Sequence, residues 1–257
     1  MSPTKLTHRH LLDFAAKEPV FFFDFDGTLV NIVPTPAEVR LRRIARQVLE
    51  DLKDIYPIAI VSGRKLDDVR KLVGIKGVYY SGNHGVEIEG PRLSFVEPRS
   101  AKSSAFITSL GKELVGALKP FSPGVNSKTY SLSIHYRTIE PSLVPKLLRE
   151  FNKLVKGPLE AGKIEVFHGK KVVEVKPPVD WNKGNAIQMI TAKAGKNRKP
   201  AFFGDDTTDE FGFRRVNALG GISVFVGRRH RKTLAKYWIE SPAELVGELA
   251  KFLFELG

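Results

Sequence analysis

Phe21-Phe22-Phe23-Asp24-Phe25-Asp26-Gly27-Thr28-Leu29 is the stretch that most constrains this chain. Three aromatics make a run apolar enough for a buried strand, and two carboxylates follow as soon as the run stops. A strand with that boundary presents its acids at its carboxyl edge, the edge at which open parallel sheets bind ligands. Gly27 directly after them gives the backbone the freedom to turn both carboxylates into one small volume. An Asp-Gly turn closing a core strand has the same local pattern, so the remainder of the chain has to decide.

At 257 residues and 42% apolar content the chain can bury one large core or two small ones. No run approaches the ~20 apolar residues of a membrane span, and the first residues lack the apolar centre of a secretory leader, so the expectation is a cytoplasmic protein. The absence of cysteine removes disulfides and thiolate metal sites and leaves carboxylates and histidines as ligands, which favours a hard cation such as Mg²⁺. A net charge of +13 points to an anionic partner. Fourteen Lys and Arg against six Asp and Glu fall in residues 98–176, spread along the segment instead of gathered in a tail.

Residues 38–53 read as a helix carrying Val39, Ile44, Val48 and Leu52, followed by a buried strand Ile58–Val61 that stops at Ser62-Gly63-Arg64. A short helix through Leu66, Val69, Leu72 and Val73 leads to a third strand around Tyr79-Tyr80, then to a turn Ser81-Gly82-Asn83-His84-Gly85 and a hairpin over 86–95. From about 98 to 176 the pattern changes. Phe106, Leu110, Leu114 and Ala117 stripe one helix. Thr129 to Arg137 alternates as a half-exposed strand, a second helix carries Leu147, Phe151 and Leu154, and 164–168 with 171–176 form a hairpin. This is a small α+β insert whose strands each have a polar face, as a lid would. After Pro177-Pro178 the first pattern returns, with a helix opened by Asn182-Lys183-Gly184, a strand Ala201–Phe203 ending in Gly204-Asp205-Asp206-Thr207-Thr208-Asp209-Glu210, a strand Ile222–Val226 and a last helix begun by Ser241-Pro242. The expected architecture is a doubly wound α/β parallel sheet, residues 1–97 and 177–257, carrying an inserted α+β domain at 98–176.

Asp24 and Asp26, Ser62, Lys183, and Asp205 with Asp206 and Asp209 stand on four separate turns at strand ends or a helix entrance. In a doubly wound sheet such turns gather along one edge. Five carboxylates held together repel and raise one another's pKa unless a cation is shared, which again selects Mg²⁺. A metal, a carboxylate nucleophile, a hydroxyl and a lysine are the parts phosphoryl transfer requires.

Those four segments, in that order, resemble the four motifs of the haloacid dehalogenase superfamily, and an insert between the second and third resembles its C2-type caps. Finer similarity, carried by Pro34-Thr35-Pro36, Val61-Ser62-Gly63-Arg64, Gly82-Asn83-His84-Gly85-Val86-Glu87, Ile134-His135-Tyr136-Arg137, Val173-Glu174-Val175-Lys176-Pro177 and Gly204 through Glu210, is to the trehalose-6-phosphate phosphatases. The resemblance implies an aspartyl-phosphate on Asp24, with Asp26 as acid and then base. It implies Mg²⁺ on Asp24, the backbone carbonyl of Asp26 and Asp205, and Asp206 and Asp209 ordering its waters or Lys183. Ser62 and Lys183 would grip the phosphoryl oxygens, and Arg64, His84, Glu87, Lys128, Arg137 and Glu174 would read the sugar. The implied partner is a small sugar phosphate; a monomer is the expected state. His8, His10, His168 and His230 read as ordinary surface residues. Two other readings compete: the same core chemistry on sucrose phosphate or a mannosyl phosphoglycerate, and a basic nucleic-acid-binding protein. The second lacks aromatics interleaved with its basic residues and carries an acid cluster that repels phosphate backbones.

Overall fold

The computed structural model describes residues 3–33, 39–169, 171–228 and 232–257. Pro34-Thr35-Pro36 and His230 lie outside the described residues. The chain divides into two compact units, Met1–Phe95 with Trp181–Gly257, and Val96–Asp180.

The first unit contains strands β1 (Thr4–Lys5), β2 (Val20–Phe23), β3 (Ile58–Val61), β4 (Tyr79–Gly82), β5 (Glu87–Gly90) and β6 (Leu93–Val96) before the second unit, and β11 (Pro200–Gly204), β12 (Ile222–Val226) and β13 (Tyr237–Ile239) after it. Among the described residues they form one sheet in the order β1-β13-β12-β11-β2-β3-β4-β5-β6. Pairing is parallel from β1 through β4, and β5 runs antiparallel to β4. Helices α1 (His8–Ala15), α2 (Arg43–Ile55), α3 (Leu66–Val73) and α8 (Pro242–Leu256) cover one face, and α6 (Lys183–Ala194) and α7 (Asp209–Ala218) the other. Alternation along β2 decides which aromatic meets which layer: Phe21 and Phe23 pack with Leu49, Leu249 and Phe252, while Val20 and Phe22 pack with Ile187, Ile190 and Phe213. Strand order reverses between β2 and β11, which makes their carboxyl ends the switch point of the sheet.

The second unit holds α4 (Pro98–Leu118) and α5 (Val144–Glu160) against an antiparallel sheet of β7 (Gly124–Ser127), β8 (Leu132–His135), β10 (Val172–Lys176) and β9 (Glu165–Gly169), in that order among the described residues. Leu114, Leu132, Ile134, Phe151, Val173 and Val175 form its core.

Several expectations need correction. The helix expected over 38–53 is α2, Arg43–Ile55, and it buries Ala45, Val48, Leu49 and Leu52; Ile44 lies off that stripe and is 65% exposed. In α4 the buried stripe is Ile107, Leu110, Leu114 and Leu118, with Ala117 exposed. The strand expected over 129–137 is confined to Leu132–His135, because the Lys128 amide donates to the Ser131 carbonyl at 2.8 Å and closes a turn onto β7, a strand the sequence reading missed. Ser131, on the polar parity of that alternation, is nevertheless buried. His8 and His10 are not plain surface residues. His8 sits 3.0 Å from both Glu248 and Glu255 on α8, and His10 bonds Thr7 and stacks obliquely on Tyr237.

Candidate active site

Asp24 follows β2 directly, and its amide donates to the Phe203 carbonyl of β11 at 2.9 Å, so the first acid is held where the two strands end together. Gly27 has φ +88°, and a Cβ there would lie 2.1 Å from Asp205 Oδ2. Only glycine lets the loops after β2 and β11 approach this closely. The buried Thr28 hydroxyl donates to Asp205 Oδ1 at 3.4 Å across the same gap.

Lys183 opens α6, whose first turn is capped reciprocally by Asn182 and Asn185. Its ammonium is buried and donates to Asp24 Oδ1 and to Asp209 Oδ1, each at 2.7 Å. Asp209 begins α7 and uses its other oxygen to accept from the backbone amides of Asp205 (3.0 Å) and Asp206 (2.9 Å). Oxygens of Asp24, Asp205 and Asp209 lie within 4.8 Å of one another. Burial pushes Asp24 above the usual carboxylate range, opposed by Lys183 and reinforced by Asp209 and Asp205. Burial, with Asp209 and Asp206 adding to it, pushes Asp205 up to about 7. Burial works against the Lys183 charge, but Asp24 and Asp209 outweigh it and raise its pKa. One ammonium cannot neutralise three carboxylates, so repulsion among the acids adds to the effect of burial. A divalent cation fits this donor set of oxygens, and Asp24 and Asp205 are the members not committed to holding the α7 loop.

The other sequence-predicted residues divide by unit. Ser62 is buried at the end of β3, and its Oγ accepts the Arg64 amide at 3.2 Å. Arg64 donates from Nε and Nη2 to both oxygens of Asp26, at 2.6 and 2.7 Å. His84 packs its ring against Gly63, where a Cβ would lie 2.4 Å from ring carbon Cε1. Glu87 accepts from the Asn83 side chain. Asp206 is exposed and accepts from the amide and hydroxyl of Thr207. In the second unit, Lys128 and Arg137 flank opposite ends of β8, while Glu174 lies mid-strand on β10, level with Ser133 on β8 and Phe167 on β9. Among the described residues no ion pair joins Glu174, although Lys171 and Lys176 are two or three residues away in sequence. Sequence reasoning missed Thr28, Asn83 and Trp181, whose indole donates to the Gly85 carbonyl at 2.7 Å. Thr28 and Asn83 stood inside the quoted motifs; Trp181 carried no signal beyond its place before Asn182-Lys183.

A family model described as Trehalose-phosphatase matches residues 22–242, a span that includes every turn of this site. The chain belongs to the trehalose-phosphatase family. Among curated members, a probable trehalose-phosphate phosphatase 4 of Oryza sativa subsp. japonica is 31% identical over 247 residues, covering 92% of this chain and 66% of the relative, so the chain spans just under two thirds of that protein. The C-terminal domain of the trehalose-6-phosphate phosphatase of C. albicans superposes with a TM-score of 0.76 at 23% identity, covering all of both chains. A haloacid dehalogenase-like hydrolase from Bacteroides thetaiotaomicron, 14% identical, covers 91% of this chain and 98% of its own with a TM-score of 0.61. The family fold is therefore the haloacid dehalogenase fold, an α/β parallel-sheet core. No helix among the described residues is long and apolar enough to cross a membrane.

Proposed function

We propose that this chain is a Mg²⁺-dependent phosphatase that hydrolyses trehalose 6-phosphate to trehalose and phosphate through an aspartyl-phosphate on Asp24. The observation that carries the reading is the Lys183 ammonium, buried and 2.7 Å from Asp24 Oδ1, in a cluster whose acids exceed its cations. Asp24 attacks phosphorus and a new O–P bond forms as the bond to the sugar oxygen breaks. Asp26 gives its proton to that departing oxygen. In the second step Asp26 takes a proton from water, the water oxygen bonds to phosphorus, and the Asp24 carboxylate leaves. Lys183 and Ser62 hold phosphoryl oxygens, and Asp209 holds Lys183. Asp24, the Asp26 carbonyl and Asp205 would hold Mg²⁺, which would supply charge neutralisation there. His84, Glu87, Lys128, Arg137 and Glu174 are the proposed readers of the sugar hydroxyls.

The test is phosphate release from a panel of sugar phosphates with and without Mg²⁺, together with Asp24→Asn. The amide keeps the shape of Asp24 but neither attacks phosphorus nor serves as an anionic ligand, so folded Asp24→Asn is expected to lose at least ~10³-fold in turnover. More than a few per cent of wild-type turnover would remove Asp24 as nucleophile, and a preference for sucrose phosphate or a mannosyl phosphoglycerate would replace the substrate while leaving the chemistry.

A further inference from the structure

The Asp26 carboxylate is partly open to solvent, 37% exposed, and among the described residues the group that fixes it is Arg64. The guanidinium meets both oxygens in a planar fork, from Nε at 2.6 Å and Nη2 at 2.7 Å. Arg64 is itself anchored on three sides. Its amide donates to Ser62 Oγ, its carbonyl accepts from the Asn83 amide at 2.7 Å, and its guanidinium lies 5.6 Å from the centre of the Phe25 ring. Asn83 and the following His84 both have left-handed backbone, φ 49° and 58°, so the loop that carries this anchor is held in a conformation non-glycine residues seldom adopt. A rigid loop thus sets the guanidinium, and the guanidinium sets the plane and rotation of the carboxylate.

We infer that Arg64 is a positioning residue for Asp26, holding the acid–base carboxylate in line for proton transfer, and not primarily a reader of the sugar. The inference rests on the proposed role of Asp26. An unbraced, solvent-facing carboxylate samples several rotamers, and misplacement of a reacting group by about 1 Å can cost 10²-fold in rate. Lysine cannot reproduce the fork, since an ammonium makes point contacts.

Leaving-group dependence separates positioning from sugar recognition. Propyl phosphate has no hydroxyls to read and a departing alkoxide that needs a proton; 4-nitrophenyl phosphate leaves with little help. With the Mg²⁺-loaded chain, Arg64→Ala is expected to lower kcat/KM for propyl phosphate by about 30- to 100-fold and for 4-nitrophenyl phosphate by less than about threefold. Arg64→Lys should recover part of the propyl phosphate loss, and it carries the same comparison if Arg64→Ala does not fold. In an Asp26→Asn background, under single turnover with excess enzyme, Arg64→Ala should change the propyl phosphate rate by less than about threefold, because the group it positions is already gone. Equal losses on both phosphates, an unaffected propyl phosphate rate, or additive losses with Asp26→Asn would overturn the inference. An Asp26→Asn protein as active as wild type on propyl phosphate would instead overturn the role of Asp26 itself.

Discussion

Lys183 and Asp209 meet at 2.7 Å across the entrances of two helices, α6 and α7, and both side chains are buried. Through its second oxygen Asp209 also holds the amides of Asp205 and Asp206, so one carboxylate fixes the lysine and the acidic loop together. Asp209→Asn has one acceptor oxygen and cannot serve both. Breaking a buried pair from one side costs about 3–5 kcal/mol, so Tm should fall by roughly 6–20 °C. Turnover should drop at least ~10²-fold as Lys183 and the Asp205 loop lose their places. Thermal denaturation with an intact Tm would remove Asp209 from this structural role.

The acid cluster also predicts how metal affinity follows pH. Asp205 is pushed up to about 7 in the folded, metal-free chain, against an ordinary value of 3.8. The folded state therefore holds a proton that the unfolded chain has released, and this group weakens folding as pH rises from about 4 to about 7. A cation must displace that proton below pH 7, so calorimetric titration with Mg²⁺ should give an apparent Kd at least about tenfold lower at pH 8 than at pH 6. Equal affinity at both pH values would exclude Asp205 as a ligand.

Gly85 joins the loop after β4 to the entrance of α6. It has φ +108°, and a Cβ would lie 2.6 Å from the Asn182 carbonyl oxygen and 3.1 Å from the Lys183 amide nitrogen. Neither backbone atom can yield without shifting Lys183. Gly85→Ala is expected to destabilise by about 1–3 kcal/mol and to lower kcat at least ~10-fold, through backbone strain and a displaced ammonium. Wild-type kcat with a lowered Tm would mean that the loop only supports the fold.

Glu174 faces away from the second unit's core between Ser133 and Phe167, with no ion pair among the described residues. Two adjacent sugar hydroxyls can donate to one carboxylate, and a charged hydrogen bond contributes about 1.5–3 kcal/mol, so Glu174→Ala should lower kcat/KM for trehalose 6-phosphate by about 10- to 150-fold. Hydrolysis of 4-nitrophenyl phosphate should scarcely change. Equal losses on both substrates would make Glu174 structural or catalytic, and no loss on either would leave it a solvated acid.

The sequence by itself determined which polar residues stand at the ends of buried strands. Apolar runs that stop at Asp24, Ser62 and Asp205 can form only buried strands with polar ends, and a doubly wound sheet brings such ends to one edge. It also marked the hairpin over 86–95 at which the parallel pattern stops, and the return of that pattern after Pro177-Pro178. Only the tertiary structure decided the partners. That Arg64 grips Asp26, that Asp209 serves Lys183 and two amides at once, and that Gly27 admits Asp205 depend on residues 38, 26 and 178 positions apart in sequence. Period and propensity describe neighbours along the chain and carry no information on which side chain crosses such a gap. The same limit hid β7 and the turn at Lys128. An alternating stretch from Thr129 satisfies a strand pattern, and the bond from Lys128 to Ser131 that interrupts it forms only when β7 lies alongside β8.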